Sequence, residues 1–451
     1  MHYLKRKIDA WLDAWKEAPD RKPVLLKGAR QVGKTEAVRH FATKHYDSVV
    51  EINFALQPEF RQIVSEGYRA ESVIRRISAL NPAFRFPKGR TLLFFDEIQE
   101  FPDITTSFKA LKSEGGCDVV ASGSMLGVQY RNVASVPVGF KTDCNLGSLD
   151  FEEFLWACGH GEEFVEEIYA HLHDSRPFDG MMRDILSNRF MEFCLLGGMP
   201  EIVRRYVEQG TFEGVLDAQR QLFEDYRSDV RKYAQGVDQT RILNVMDHIA
   251  QQLAKENKKF QISKVAKDAR FKDYRGCVEW LKDAGIISLC HAMNFPELPI
   301  RGNYDDARFK IYMADTGLLV GQLDDESQHD LRANRNLSTY KGGLYENIVG
   351  EALAKTGAEL VYYRREDSTL EMDFFLRTAN RLVPIEVKAG SARAKSLRTL
   401  IASDRYPDIS WGVKFMDGNI GFENHVLTLP HWSAFLLRRL LADRGADFDN
   451  A

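Results

Sequence analysis

Eight consecutive residues near the start of the chain fit the pattern G-x-x-x-x-G-K-[ST], which is typical of a phosphate-binding loop. The residues in order are Gly28, Ala29, Arg30, Gln31, Val32, Gly33, Lys34 and Thr35. Glycine lets successive backbone N–H groups face phosphate oxygens, while the ammonium of Lys34 reaches the β and γ oxygens and the hydroxyl of Thr35 reaches Mg²⁺. The pattern predicts a site for a nucleoside triphosphate with its Mg²⁺. The alternative is a glycine-rich turn in an ordinary α/β domain.

The residues on either side of this loop are those of a strand and a helix. Residues 23–27 form a short and mostly apolar segment, and the apolar residues within 36–42 have the spacing of a helix. A strand that enters the loop and a helix that leaves it would place a phosphate at the helix N-terminus, where backbone N–H groups are unpaired.

A second candidate element is the apolar run 91–97, which ends in the carboxylates of Asp96 and Glu97. A carboxylate at the end of a buried strand can hold Mg²⁺, and we assign this role to Asp96. Glu97 lies one residue further along and is the candidate general base that polarises the attacking water. The pair predicts hydrolysis of the nucleotide. Its alternative role is to cap a following helix.

The strand predicted at 117–122 ends in serine. A polar residue at this strand tip would contact the γ-phosphate, and we choose Ser122 first and Ser124 second. Either serine could instead bond to its own backbone in a turn.

Together these residues resemble bacterial and archaeal AAA+ ATPases in which an AAA_14 ATPase domain is followed by a DUF4143 domain. The matching segments are 26–35, 95–99, 122–128, 150–155, 196–200, 311–319 and 344–347. The resemblance implies a P-loop NTPase sheet of the AAA+/ASCE type, with ATP and Mg²⁺ as cofactors and with a ring or dimer of identical chains as an option. Relatives commonly have a basic residue directly after the position of Gly139. Because Phe140 precedes Lys141 here, the arginine-finger role has no clear owner, and Arg131 is a candidate.

The C-terminal third contains another group of residues that could do chemistry. Two predicted strands, 370–376 and 381–388, place Asp373 thirteen residues before Glu386, with Lys388 two residues later. Side chains two apart on a strand face the same side, so these three groups would converge. The spacing matches the restriction-endonuclease-like PD-(D/E)XK core.

In that interpretation Asp373 and Glu386 hold Mg²⁺, and Lys388 positions or deprotonates water. Glu346, on a preceding predicted helix, matches an extra acidic residue often found in the fold. A basic segment follows and could track the phosphates of DNA or RNA; it contains Arg393, Lys395, Arg398 and Arg405. The alternative is an exposed ion pair between Glu386 and Lys388, which would be nearly neutral for stability.

A basic region lies between the two groups. Residues 251–283 hold nine Lys or Arg against five Asp or Glu, within a helix, turn, helix and strand order that resembles a winged helix. Such an excess suits phosphate contact, although winged helices also dock proteins and lysine-rich faces are often merely solvated.

The whole chain divides into five predicted regions of an α/β protein. They are an amphipathic helix at 1–20, a P-loop ATPase core at 21–150, a helical lid at 151–235, a winged helix at 236–300 and a nuclease-like domain at 301–451. Hydrophobic residues make up 44% of the 451, which is enough for buried cores.

Composition also limits the binding partners and the cellular compartment that we expect. A net charge of −4 predicts no global attraction to nucleic acid, and no apolar run has membrane-spanning length. The six cysteines lack metal-ligand spacing, which favours a reducing cytoplasm. We therefore expect an ATPase coupled to a metal-dependent nuclease-like domain that acts on nucleic acid. The alternatives are an ATP-dependent switch or scaffold whose C-terminal domain binds without cleavage, and a DNA-binding regulator.

Overall fold

The computed structural model describes residues 3–124, 139–234, 238–255, 259–267, 269–332, 338–390, 394–445 and 447–449. Predictions that concern Arg131, Arg393 and residues 125–128 lie outside these ranges. The chain forms two compact units, one of Met1–Ser148 with Asp283–Gly285 and one of Leu149–Lys282 with Ile286–Ala451. The five predicted regions stay a prediction.

The first unit alternates strands and helices. Its elements are α1 (Lys7–Glu17), β1 (Val24–Gly28), α2 (Lys34–His45), β2 (Ser48–Asn53), α3 (Ala70–Leu80), β3 (Thr91–Asp96), α4 (Phe108–Ser113), β4 (Asp118–Ser124) and β5 (Thr142–Asn145). The strands pair in the order β2-β3-β4-β1-β5, and every pair is parallel.

The sheet order positions the site because β4 lies between β1 and β3. Leu26 of β1 is paired with Ser122 of β4, and Phe95 of β3 is paired with Ala121. The strand that enters the phosphate-binding loop and the strand that ends in Asp96 therefore both neighbour the strand that carries Ser122. Every residue of β3 is buried, as a central parallel strand covered on both faces requires.

The second unit begins with helices and ends with a sheet. Its elements are α5 (Phe151–Ala157), α6 (Glu162–His173), α7 (Gly180–Leu196), α8 (Pro200–Gln209), α9 (Val215–Tyr233), α10 (Gln239–Leu253), α11 (Phe271–Asp283), β6 (Ile287–Met293), β7 (Tyr304–Met313), α12 (Thr316–Val320), α13 (Asp325–Arg332), α14 (Ser338–Lys355), β8 (Val361–Arg364), β9 (Glu371–Arg377), β10 (Leu382–Val387), α15 (Lys395–Ile401), β11 (Gly412–Met416), β12 (Gly421–Glu423), β13 (Val426–Pro430) and α16 (Leu437–Arg444).

The sheet of this unit has eight strands in the order β12-β13-β11-β10-β9-β8-β6-β7 and mixes parallel with antiparallel pairs. The two strands predicted at 370–376 and 381–388 are present as β9 and β10, which form an antiparallel hairpin with Ile385 paired to Phe374. The strand predicted after the second helix of the winged helix is β6, which joins this same sheet and pairs with β7 and β8. The winged helix itself stays a prediction. No helix within the described ranges is long and apolar enough to cross a membrane.

Candidate functional site

The phosphate-binding loop runs from the end of β1 to the start of α2. A Cβ on Gly28 would lie 2.2 Å from the carbonyl oxygen of Leu146, so only glycine fits beside the chain that follows β5. Gly33 has φ 91° at the N-cap of α2, a conformation that glycine adopts without strain. The predicted strand, loop and helix are thus present in that order.

A residue outside the pattern holds the loop in place. Arg6, which precedes α1, is only 4% exposed. Its Nη1 donates to the carbonyl oxygen of Val32 at 2.9 Å, and its Nη2 donates to that of Gly147 at 2.8 Å. The sequence offers no spacing that would single out Arg6, because its partners are backbone atoms distant in the chain.

Lys34 is buried at the first turn of α2. Its ammonium donates to the carbonyl oxygens of Gly28 at 3.2 Å and Ala29 at 2.8 Å. Burial lowers the pKa of Lys34 to about 8, although the carboxylates of Glu97 and Asp96 act in the opposite direction. Because the pKa of Lys34 is this low, a negative charge bound beside the ammonium would raise the pKa and favour the protonated form.

The carboxylate of Asp96, at the end of β3, accepts hydrogen bonds from side chains of α2, β2 and β4. Its Oδ2 accepts from the hydroxyl of Thr35 at 3.1 Å and from Nδ2 of Asn53 at 3.0 Å, and its Oδ1 accepts from the hydroxyl of Ser122. The structure thereby brings together the three predicted residues Thr35, Asp96 and Ser122. Asn53 was not predicted, although its place at the end of β2 is a signal, since parallel strands end at one edge of the sheet.

Glu97 directly follows β3 and has φ 54°, a left-handed conformation that is strained for a residue with a side chain. Its Oε2 accepts from Nε2 of Gln99, and Oε1 of Gln99 accepts from the backbone N–H of Ser124 at 3.2 Å. Gln99 therefore ties the carboxylate of Glu97 to the tip of β4. Sequence reasoning missed this residue.

Ser124 gives an independent test of whether these residues suit a phosphate ligand. Its Oγ is buried and has no hydrogen-bond partner within the described part of the chain. Ser122, by contrast, is bonded to Asp96. Ser124 is paired with Gly28, the first residue of the phosphate-binding loop. An unpartnered buried hydroxyl at this position fits a site for a triphosphate and Mg²⁺, since a buried polar group ordinarily has a partner.

We expect nucleotide affinity to fall as pH rises through about 8. In the free protein Lys34 loses its proton above this pH, while bound phosphate favours the ammonium, so binding above pH 8 must take up a proton. The dissociation constant of a non-hydrolysable triphosphate should rise up to about tenfold per pH unit above the free-state pKa. Titrations at pH 7, 8 and 9 measure it. In Lys34→Arg, which stays charged, this dependence should vanish; an unchanged dependence would assign it to another group.

A second group of charged residues lies on the eight-stranded sheet, at the end of β10 and on helix α14, and it contains the four C-terminal residues singled out in the sequence. Nζ of Lys388 is 2.6 Å from Oε1 of Glu386. Burial opposes the charge of Lys388, but the carboxylates of Glu386, Asp373 and Glu346 outweigh it and raise the pKa of Lys388. The charges of Asp373, Glu386 and Lys388, for which convergence was predicted, therefore act on one another in the fold, together with the charge of Glu346.

Two further residues, Lys310 and Glu371, contact this group, and we call Glu346, Glu371, Asp373 and Glu386 with their two lysines the carboxylate cluster. Nζ of Lys310, on β7, lies 2.9 Å from Oε1 of Glu371 and 3.0 Å from Oε1 of Glu346. Sequence reasoning missed both Lys310 and Glu371. A signal for Lys310 exists, since it is a single charge within the apolar run 309–313, where an unpaired lysine would be costly.

The carboxylate cluster does not fit a divalent metal ion. Oδ2 of Asp373 accepts from the backbone N–H of Val387 at 2.8 Å, and Oε2 of Glu386 accepts from that of Leu397 at 3.2 Å. Within the residues that the structure describes, no group of three or more His, Cys, Asp or Glu side chains is arranged to hold a metal. The role of Asp373 and Glu386 as metal ligands stays a prediction that this geometry does not favour.

Three of the other resembling segments meet in a tightly packed junction. A Cβ on Gly198 would lie 1.9 Å from the carbonyl oxygen of Leu149, and one on Gly317 would lie 2.2 Å from that of Leu196. The backbone N–H of Gly198 also donates to Oδ2 of Asp315 at 2.8 Å. These glycines are required because backbone meets backbone.

Helix α14 completes this junction. The side-chain oxygen of Asn347 accepts from the backbone N–H of Met313 at 2.8 Å, and Oε2 of Glu351 accepts from that of Thr316 at 2.8 Å. Burial raises the pKa of Glu351. Segments 196–200, 311–319 and 344–347 thus share a structural role, in which buried side chains satisfy buried backbone groups.

The parallel sheet, the loop after β1 and the acidic pair at the end of β3 define an AAA-type P-loop ATPase fold, a class whose members bind ATP. Residues 20–155 match the family model AAA_14, described as AAA domain. Residues 341–432 match DUF4143, a domain of unknown function, and residues 187–329 match a further domain of unknown function, DUF8612. The predicted combination of an AAA_14 domain with a DUF4143 domain is confirmed.

Solved structures resemble the chain only distantly. The Walker-type ATPase PABY2304 of Pyrococcus abyssi has 14% identity and a TM-score of 0.43, over 71% of this chain and 96% of that one. The ORC2 protein of Aeropyrum pernix in its ADP form has 11% identity and a TM-score of 0.30, over 76% and 95%. The ORC1 protein of the same organism, in complex with DNA, has 12% identity and a TM-score of 0.28, over 73% and 91%. No curated protein matches the chain.

Proposed function

We propose that the first unit binds and hydrolyses MgATP. The observation that carries this proposal is the convergence on Asp96 of Thr35, Asn53 and Ser122, next to the buried ammonium of Lys34. Those groups come from four elements, and they match the requirements of a site for a nucleotide and a divalent ion.

Each of these side chains has a separate task. Lys34 and the N–H groups of the loop bind phosphate oxygens, and Thr35 and Asp96 hold Mg²⁺, which when bound neutralises charge on the phosphates. Glu97 accepts a proton from the attacking water. Ser124, whose hydroxyl is unpartnered in the described residues, contacts the γ-phosphate, and Ser122 orients Asp96.

Lys34→Ala tests binding directly. We expect loss of ATP binding in isothermal titration with unchanged thermal unfolding of the nucleotide-free protein. Binding at the affinity of the unaltered protein would contradict the assignment. Lys44→Ala is a matched control, because Lys44 lies at the other end of α2 with its side chain exposed.

Gln99 positions Glu97, so Gln99→Ala should lower kcat for ATP hydrolysis by about ten- to a hundredfold. KM for ATP should stay unchanged, because Gln99 contacts the carboxylate of Glu97 and the backbone of Ser124. Steady-state kinetics separate the two constants. Gln62→Ala, which alters an exposed glutamine, should leave kcat and KM unchanged. A fall in kcat/KM of Gln99→Ala that comes entirely from a higher KM would contradict a positioning role.

For the second unit we propose binding of a partner or of nucleic acid without metal-dependent cleavage. The support is the ion pairing of the carboxylate cluster: Glu346 and Glu371 contact Lys310, and Glu386 contacts Lys388. These pairs use the oxygens that a metal would need. ATP hydrolysis in the first unit would then switch the state of a bound partner. Metal-dependent cleavage of DNA or RNA is the other prediction.

A cleavage assay decides between these two functions. Labelled single- and double-stranded DNA and RNA are incubated with Mg²⁺ or Mn²⁺, with and without ATP. We expect intact substrates, with ATP turnover measured in the same samples. Cleavage that disappears in Asp373→Ala would establish a nuclease and overturn the proposal, and its further dependence on Lys34 would show control by ATP.

A further inference from the structure

The peptide bond between Val32 and Gly33 has its direction set by Arg6. The carbonyl oxygen of Val32 accepts a hydrogen bond from Nη1 of Arg6 at 2.9 Å. This peptide bond is trans, so its carbonyl and its N–H point in opposite directions. The N–H of Gly33 therefore faces away from the guanidinium. Among the described residues, this N–H has no hydrogen-bond acceptor in the protein.

The backbone on either side of Val32 has the conformation of an anion-binding turn. Gln31 has φ 62° and Gly33 has φ 91°, which are both left-handed. Left-handed residues within a turn bring successive N–H groups to one side and form a concavity that binds anions. For Gln31, which has a side chain, this conformation is strained. The surrounding contacts, and not the local preference of the chain, must therefore maintain the turn.

Arg6 provides such a contact at both ends of the phosphate-binding loop. Its Nη2 donates to the carbonyl oxygen of Gly147 at 2.8 Å. Gly147 directly follows Leu146, whose carbonyl oxygen lies against Gly28, the first residue of the loop. The buried guanidinium thus connects Val32, near the end of the loop, to the chain that packs on its start. The planar fork of an arginine suits two acceptors at fixed positions.

We infer that Arg6 is a positioning residue for phosphate binding, because its hold on the carbonyl of Val32 turns the N–H of Gly33 toward the phosphates of the nucleotide. This inference rests on the proposed function, since it assigns a further role within the same site. Arg6 acts through the backbone and takes no part in the hydrolytic step. A bond from the N–H to phosphate is made with the substrate and the transition state alike, so it contributes to KM and not to kcat.

The test is phosphate binding by full-length Arg6→Lys. Lysine keeps the positive charge but lacks the planar fork that reaches two carbonyls. In isothermal titration with Mg²⁺, the dissociation constants of ATP and of tripolyphosphate should both rise by about ten- to a hundredfold, the effect of one lost hydrogen bond to a charged group. Tripolyphosphate has no base or sugar, so an equal rise for both ligands places the defect at the phosphates. In steady-state hydrolysis, KM for ATP should rise and kcat should stay unchanged.

Arg21→Lys is the matched control. Arg21 donates to the carboxylate of Asp118 from Nε at 2.8 Å and from Nη2 at 3.0 Å. Asp118 begins β4, whereas Gly28 is paired with Ser124 at the other end of that strand. This substitution should lower the thermal midpoint of unfolding and leave both dissociation constants unchanged. A general loss of stability is thereby separated from a loss of phosphate binding.

Arg6→Gln, which removes the charge as well as the fork, is a second variant in case Arg6→Lys does not fold, and it should show the same equal rise for both ligands. Folded Arg6 variants that bind tripolyphosphate as tightly as the unaltered protein would overturn the inference. A loss confined to ATP would do so too, as would a fall in kcat at unchanged KM. If the unaltered protein binds neither ligand, the proposed function fails as well; if it binds both and the variants bind equally well, the inference alone fails.

Discussion

Glu97→Gln should lower kcat for ATP hydrolysis by about 10²- to 10⁴-fold and leave ATP affinity unchanged. Glutamine keeps the size of the side chain but cannot take a proton from water. The strained backbone of Glu97 and its tie to Gln99 aim the carboxylate from the end of β3, next to Asp96. Single-turnover hydrolysis measures the chemical step, and titration with ATP measures binding.

Glu100→Gln is the matched control for this variant. Glu100 lies three residues further on and pairs with Arg61 at 3.3 Å. Its substitution should leave kcat within about twofold, since exposed ion pairs contribute little. Hydrolysis at the normal rate in Glu97→Gln would show that another group activates the water.

Gly198→Ala should destabilise the second unit by about 3 kcal/mol or more, because the added methyl group would overlap backbone. Its Cβ would lie 1.9 Å from the carbonyl oxygen of Leu149 and 2.8 Å from the backbone nitrogen of that residue. The hydrogen bond from the N–H of Leu149 to the carbonyl oxygen of Gly198, 2.7 Å long, would have to open. Urea unfolding followed by near-ultraviolet circular dichroism measures the change.

Gly276→Ala provides the comparison. Gly276 lies exposed on α11, and a Cβ there meets no atom within 4 Å. Alanine is the better helix former, so stability should rise by up to about 1 kcal/mol. Equal stability of Gly198→Ala and the unaltered protein would mean that the chain at Leu149 yields easily, and the junction would then not be rigid.

The nucleotide site was predictable where its parts are contiguous in the chain. The loop from Gly28 to Thr35 needs its glycines, lysine and threonine at set spacings, and the structure places them between β1 and α2 as expected. Asp96 and Glu97 were visible for a similar reason, since a fully buried strand that ends in two carboxylates is rare without a function for them. The roles of these residues stay predictions.

The partners of those residues were harder to find. Asn53 and Gln99 contact Asp96 and Glu97 through side chains whose direction depends on the sheet order and on the turn after β3. The difference between Ser122 and Ser124 was also invisible in the sequence, because only the fold bonds the hydroxyl of Ser122 to Asp96 and leaves that of Ser124 without a partner among the described residues. Which of the two serines contacts the γ-phosphate stays a prediction.

For this protein, the sequence by itself determined the AAA_14 and DUF4143 combination, the phosphate-binding loop and the hairpin that carries Asp373 and Glu386. These features depend on local spacing, which strand and helix periodicity translate directly into position. The tertiary structure alone decided the charge at the centre of the carboxylate cluster. Lys310 precedes Asp373 by many residues, and only the order β9-β8-β6-β7 brings its ammonium to the carboxylates.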